Sequence, residues 1–177
     1  MKKGIKLLLP DYKFKRITDI KPDIFSGSDL IIIDIDNTLV FPETCESKKE
    51  IIEWLDNVKK IYHCILVSNS RTKERRKEKI ESLFGCKIFL SKKRKPSQKL
   101  FHEIEEKYAL QNKKITMVGD RVFTDILFGN LGGAKTLLIE PFSQNEQISI
   151  KIIRALEKIS LFLAEFFKKY EHKKINA

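Results

Sequence analysis

The chain has 177 residues, enough for one sizeable core and too few for two comfortable domains. Thirty-five Lys and Arg against 24 Asp and Glu leave a formal charge of +11. That charge concentrates anionic partners at the surface without choosing among nucleic acid, acidic lipid and phosphorylated metabolites. No stretch is long and apolar enough to span a bilayer. Three cysteines, Cys45, Cys64 and Cys86, are odd in number and lack metal-ligand spacing, which points to a reduced, cytoplasmic setting. The opening residues 1–10 lack the full apolar region and cleavage site of a secretory signal.

Residues 1–29 are mixed in character and interrupted by Pro10 and Pro22, with Ile17, Ile20 and Ile24 placed to anchor this stretch on a core. A strand-then-helix rhythm follows. Residues 30–35 form a continuous β-branched run, the pattern of a parallel strand covered on both faces. Residues 48–60 put Ile51, Ile52, Leu55 and Val58 on one helical face, and 63–67 read as the next strand, ending in Ser68-Asn69-Ser70. Residues 72–84 form a very basic helix with Ile80, Leu83 and Phe84 inward and Gly85 as its stop. A short strand at 87–90, a basic loop at 92–96 and a helix at 98–108 come next.

Residues 115–118 form a fourth strand ending at Gly119-Asp120. A helix at 122–130 and a fifth strand at 136–139 complete the alternation. Five strands separated by helices predict one α/β domain whose mainly parallel sheet has helices on both faces. Right-handed crossovers bring all the strand carboxyl ends to one edge, where ligands bind in open α/β sheets. The expected organisation is a single domain over 1–177. It comprises an N-terminal extension (1–29) packing on the core, a catalytic core (30–140) and a C-terminal amphipathic helix (146–171). The tail carries Ile152, Ile153, Leu156, Ile159, Phe162, Leu163, Phe166, Phe167 and Tyr170 among lysines. Packing of this apolar arc against the sheet is the first expectation, and attachment to a membrane interface the second.

Polar residues punctuate the strand ends. Asp34 and Asp36 leave the most apolar strand one residue apart, and unpaired buried carboxylates cost several kcal/mol or shift their pKa. They therefore need a cation, a positive partner or an open strand end. Ser68-Asn69, Lys95-Pro96, Asp120 and Asp125 fall at the ends of the other elements. Alone, Ser68 or Asp120 reads as a helix cap and Lys95 as a surface lysine. Together they supply the inventory of phosphoryl transfer. Asp34 is the nucleophile and Asp36 the acid and then base for leaving alcohol and water. Ser68, Asn69 and Lys95 bind the phosphoryl oxygens. Asp34, the backbone carbonyl of Asp36, and Asp120 hold Mg²⁺. Thr38 and Asp125 support the site.

The run Asp34-Ile-Asp36-Asn37-Thr38-Leu39-Val40 resembles the first motif, DxDxT, of the haloacid dehalogenase (HAD) superfamily. Ser68-Asn69 resembles its second motif, Lys95-Pro96 its third, and the Gly119-Asp120 to Asp125 segment its fourth. The resemblance implies a HAD-like Rossmannoid fold, an Asp34 nucleophile, an Asp36 acid/base, Mg²⁺ on Asp120, and phosphatase rather than dehalogenase chemistry. Only 31 residues separate Asp36 from Ser68, and 26 separate Ser68 from Lys95. Neither interval holds a cap domain, so the site is expected to be open to bulky phosphomonoesters.

The front segment, the first and fourth motifs and Arg154-Ala-Leu-Glu157 also resemble the YqeG-type phosphatases of the capless subgroup IIIA. These are similar to the mitochondrial phosphatidylglycerophosphate phosphatase. That resemblance implies phosphatidylglycerophosphate as substrate and an anionic phospholipid surface as partner, met peripherally at the inner face of the membrane. A phosphatase for nucleotides, nucleic-acid ends, phosphoproteins or small phosphometabolites stands as the alternative enzyme. A basic nucleic-acid or ribosome-associated binding protein on a phosphatase fold ranks behind both, because no nucleic-acid-binding module is evident.

Overall fold

The computed structural model describes residues 4–110, 113–143 and 147–175, the last few without their side chains. Six parallel strands stand in the order β1-β6-β5-β2-β3-β4. They are β1 (Tyr12–Phe14), β2 (Leu30–Ile33), β3 (Cys64–Leu66), β4 (Lys87–Ile88), β5 (Ile115–Gly119) and β6 (Lys135–Ile139). The helices are α1 (Lys49–Lys59), α2 (Lys73–Phe84), α3 (Gln98–Lys107), α4 (Leu127–Leu131) and α5 (Ile148–Ile175). One more strand is present than the sequence suggests. β1 is a three-residue edge strand, paired in parallel with β6 (Tyr12 to Leu137, Phe14 to Ile139). Its Tyr-Lys-Phe is too short and too exposed to show a burial period.

Side-chain alternation along β2 explains the two-sided core. Ile31 and Ile33 face α1 and α2, among Trp54, Leu55, Val58, Ile80 and Phe84. Leu30 and Ile32 face the opposite side, among Phe101, Ile104 and Phe128. Burying each such side chain contributes about 1.5–3 kcal/mol. Ile17, Ile20 and Phe25 of the front segment lie in the first of these clusters. The Trp54 indole N–H donates to Ile20 O at 2.8 Å, tying that segment to α1.

From β2 the chain proceeds outward to β3 and β4, then returns to β5 and β6 on the other flank. The direction reverses between β2 and β5, so the carboxyl ends of these two strands open the crevice that such a switch creates.

α5 is organised against expectation. Its inward line is Arg154, Glu157, Leu161 and Ala164, of which Glu157 and Ala164 are buried. The apolar residues point outward, with exposures from 39% at Ile153 to 78% at Ile148. The helix is thus held to the domain largely by charged side chains, and its apolar arc does not pack on the sheet. Of the expected boundaries, Met1–Lys3 and the tail's start at Glu146 lie outside the described residues, as does the side chain of Tyr170.

Candidate active site

β2 ends at Ile33, but its ladder continues one step, since Asp34 N donates to Val118 O at 2.9 Å. This carries the Asp34 carboxylate to the β2/β5 crevice. Lys95 arrives from the loop after β4, 3% exposed. Its Nζ lies 2.5 Å from Asp34 Oδ1, 2.7 Å from Asp125 Oδ1 and 2.9 Å from Val67 O. The neighbouring Lys92, Lys93 and Arg94 are all exposed, so Lys95 is the one cation of that loop turned into the site.

Asp120 follows the end of β5 and Asp125 sits in a single π-helical turn, Val122–Ile126. Such a turn presents a side chain that a regular helix would rotate away. Gly119 makes room for it: a Cβ there would stand 2.4 Å from Asp125 Oδ2. Asp34, Asp120 and Asp125 are all buried, and oxygens of all three lie within 4.8 Å of one another. Thr38 Oγ1 is 3.5 Å from Asp120 Oδ1, and Arg154 reaches in from α5 to pair with Asp120 Oδ2 and to donate to Asp120 O at 3.1 Å. Glu157, one turn on, accepts from Arg121 Nε and from Phe123 N at 3.0 Å, fixing the loop that carries Asp120.

Charge in this cluster is incompletely balanced. Three carboxylates face two cations, Lys95 and Arg154. Burial pushes the Asp34 carboxyl well above the usual range, Lys95 opposes the rise, and Asp125 and Asp120 add to it. Burial likewise pushes Asp120 up to about 6 against the pull of Arg154. Burial works against the charge of Lys95, but Asp125 and Asp34 outweigh it and raise its pKa. The contact of Lys95 with Asp125 Oδ1 is ionic, because this oxygen has no aligned hydrogen bond. Three buried carboxylates this close are compatible with a hard dication.

Asp36 belongs to a second group. Its carboxylate accepts from Arg76 Nη1 (2.9 Å) and Nη2 (3.0 Å), from Ser68 Oγ (3.1 Å) and from Glu43 N (2.9 Å). Four donors match the four lone-pair sites of a carboxylate. Its side chain is not part of the three-carboxylate cluster. Asn69 clasps the Lys95 backbone in both directions, Nδ2 to Lys95 O and Lys95 N to Oδ1, each at 2.9 Å. Its amide therefore shapes the loop rather than facing a ligand. Asn37 (φ 63°) makes the left-handed turn after Asp36 and exchanges two hydrogen bonds with the Ser143 backbone.

From the sequence alone, Arg76 has a place only within the very basic helix 72–84, and Arg154 and Glu157 have one in the tail's resemblance to the YqeG-type phosphatases without a role in the site. The signal for Arg76 lay in spacing: the inward line of Ile80 and Phe84 on α2, extended one turn back, reaches position 76. Arg76 is 7% exposed, and burial opposes its charge while the bonds to Asp36 raise its pKa.

The mitochondrial PGP phosphatase family matches the chain over residues 2–142. The probable phosphatase YqeG of Bacillus subtilis is 32% identical over 164 residues, covering 86% of this chain and 94% of its own. The phosphatidylglycerophosphate phosphatase 1 (chloroplastic/mitochondrial) of Arabidopsis thaliana is 28% identical over 166 residues, or 88% of this chain. The chain spans only 47% of that relative's length. An uncharacterized protein from Listeria monocytogenes serotype 4b superposes with a TM-score of 0.52 at 18% identity, over 68% of this chain and 84% of its own; it shares the fold.

The acid/base role expected of Asp36 would give its pairing with Arg76 a kinetic signature. General acid catalysis contributes about 10²–10⁴-fold where the leaving group needs a proton. Arg76→Met should therefore lower turnover of an alkyl phosphate by about 10²-fold but that of p-nitrophenyl phosphate only a few-fold. Arg76→Lys should recover part of the loss. Equal losses on both substrates in steady-state assays would show that Arg76 is merely structural.

Proposed function

The chain belongs to the mitochondrial PGP phosphatase family and is a phosphatase; from that premise we propose that it hydrolyses phosphatidylglycerophosphate to phosphatidylglycerol, with Mg²⁺, through an aspartyl phosphate on Asp34. The observation that carries this reading is the cluster of Asp34, Asp120 and Asp125 around Lys95 at an uncapped sheet edge. Only α1 and β3 lie between Asp36 and Ser68, and only α2 and β4 between Ser68 and Lys95, so nothing in these intervals covers the crevice.

Asp34, Asp120 and the backbone carbonyl of Asp36 would hold Mg²⁺, with Asp125 beside them, and the bound ion would offset the charge of the incoming phosphate. Lys95 and Ser68 hold equatorial phosphoryl oxygens. An Asp34 oxygen attacks phosphorus in line while the bond to the leaving oxygen breaks. Asp36 gives its proton to that oxygen, releasing the alcohol. Water then attacks the phosphorus of the aspartyl phosphate, Asp36 takes its proton, and phosphate leaves with Asp34 restored. For this, the Ser68 hydroxyl turns from Asp36 to the substrate, which frees a lone pair on Asp36 Oδ2. Arg76 keeps the carboxylate in place while it does so.

The lipid assignment is supported by the named relative from Arabidopsis and by α5. Among the described residues no helix is long and apolar enough to cross a membrane. The outward arc of α5, with Ile152, Ile159, Phe162 and Phe166 exposed and Lys151, Lys158, Lys168 and Lys169 on the same helix, suits an anionic membrane surface.

Phosphate release from phosphatidylglycerophosphate in mixed micelles tests the reading, beside nucleotide, phosphopeptide and sugar phosphate substrates. Fast release that EDTA abolishes and Asp34→Asn lowers by at least about 10³-fold is the expected outcome. Efficient turnover of a nucleotide with none of the lipid would discard the substrate. Separately, Phe162→Gln with Phe166→Gln should leave urea stability within about 0.5 kcal/mol, since both are exposed surface sites. The pair should also cut co-sedimentation with phosphatidylglycerol vesicles several-fold; unchanged sedimentation would reject α5 as the membrane contact.

A further inference from the structure

A half-open cleft of about 540 Å³ lies between the carboxyl ends of β1 and β6 and the inward side of α5. Its volume falls within the roughly 300–1,000 Å³ typical of sites for small organic ligands. Phe14, Leu138, Ile139 and Leu161 give it apolar walls. Asp120 and Arg154 also line it, so the cleft and the catalytic cluster share a wall.

The polar residues of the lining divide into paired and unpaired. Lys13 pairs with Glu165, Arg154 with Asp120, and Glu157 with Arg121. Lys15, Lys158 and Glu140, all exposed, make no ion pair among the described residues. The rim thus keeps one positive charge in excess, beside apolar walls and next to the reacting centre. A monoanion carrying carbon on both sides matches that combination. Lysine, a compact charge on a flexible stem, can follow such a group without demanding bidentate geometry.

We infer that the cleft between β1, β6 and α5 is the subsite for the non-reacting half of the substrate, its phosphodiester, with Lys15 and Lys158 meeting the diester charge. The inference rests on the phosphatidylglycerophosphate reading and extends it to specificity. A phosphomonoester at Asp34 then has its leaving glycerol directed past Asp120 into the cleft. The diester lies over the ends of β6 and β1, and the acyl chains leave along α5, whose outward arc is exposed and apolar. The same helix would hold the membrane on one side and the lipid headgroup on the other.

Two soluble substrates isolate the subsite from any effect of a lipid surface. Glycerol 3-phosphate carries the reacting half alone, and deacylated phosphatidylglycerophosphate carries the diester and second glycerol as well. The Lys15→Glu, Lys158→Glu double variant should lower the ratio of their kcat/KM values, deacylated substrate over glycerol 3-phosphate, at least tenfold. Lys49→Glu with Lys60→Glu, both exposed and at the two ends of α1, provides a charge-matched control and should change the ratio less than twofold. Equal ratios for the two double variants, or a parallel fall on both substrates, would overturn the subsite. If the unmodified protein turns over phosphatidylglycerophosphate and only the ratio fails to move, the subsite alone is wrong. If it turns over other phosphomonoesters and not this lipid, the function and the subsite fall together.

Discussion

Lys95 is the constraint on which the site depends. Carboxylates brought from β2, β5 and the π-helical turn stay ionised together more readily with a cation among them, since an isolated buried charge costs several kcal/mol or takes up a proton. Lys95 meets Asp34 and Asp125 at once, and its remaining contact, Val67 O, anchors it to the end of β3. Even so the cluster stays one positive charge short. A structural ion-pair network would have little reason to leave that deficit in its interior. The proposed function supplies a reason, since a dication would be drawn to the deficit and a phosphate to the dication.

The surrounding structure can be read as support for that arrangement. Asn69 grips the Lys95 backbone, Gly119 leaves the space that Asp125 enters, and Arg154 and Glu157 reach from α5 to hold the Asp120 loop. The last pair explains why a helix with so many apolar residues turns its charged line inward. Its polar side chains have partners on the loop that carries Asp120, and its apolar arc is left exposed. Helix and site are thereby joined through two residues.

Much of this was legible in the sequence. The apolar run of β2 with Asp34 and Asp36 directly after it pointed to both the parallel sheet and the crevice at its carboxyl edge. The order of Ser68, Lys95 and Asp120 after successive strands placed the remaining groups. What escaped was non-local. Arg76 pairs with a carboxylate 40 positions away, and no periodicity names the partner. β1 is too short to carry a pattern, and the direction in which α5 faces was decided by two charged residues against nine apolar ones. Hydrophobic periodicity identified an amphipathic helix, yet the buried ion pairs chose its inward side.

Covalent trapping tests the central chemical claim most directly. The protein is quenched during turnover, reduced with borohydride, and digested for peptide mass spectrometry, so that an aspartyl phosphate becomes homoserine. The expected result is homoserine at position 34 alone, appearing only when substrate is present. Conversion at Asp36, Asp120 or Asp125 instead, or turnover with no converted residue, would contradict Asp34 as the nucleophile.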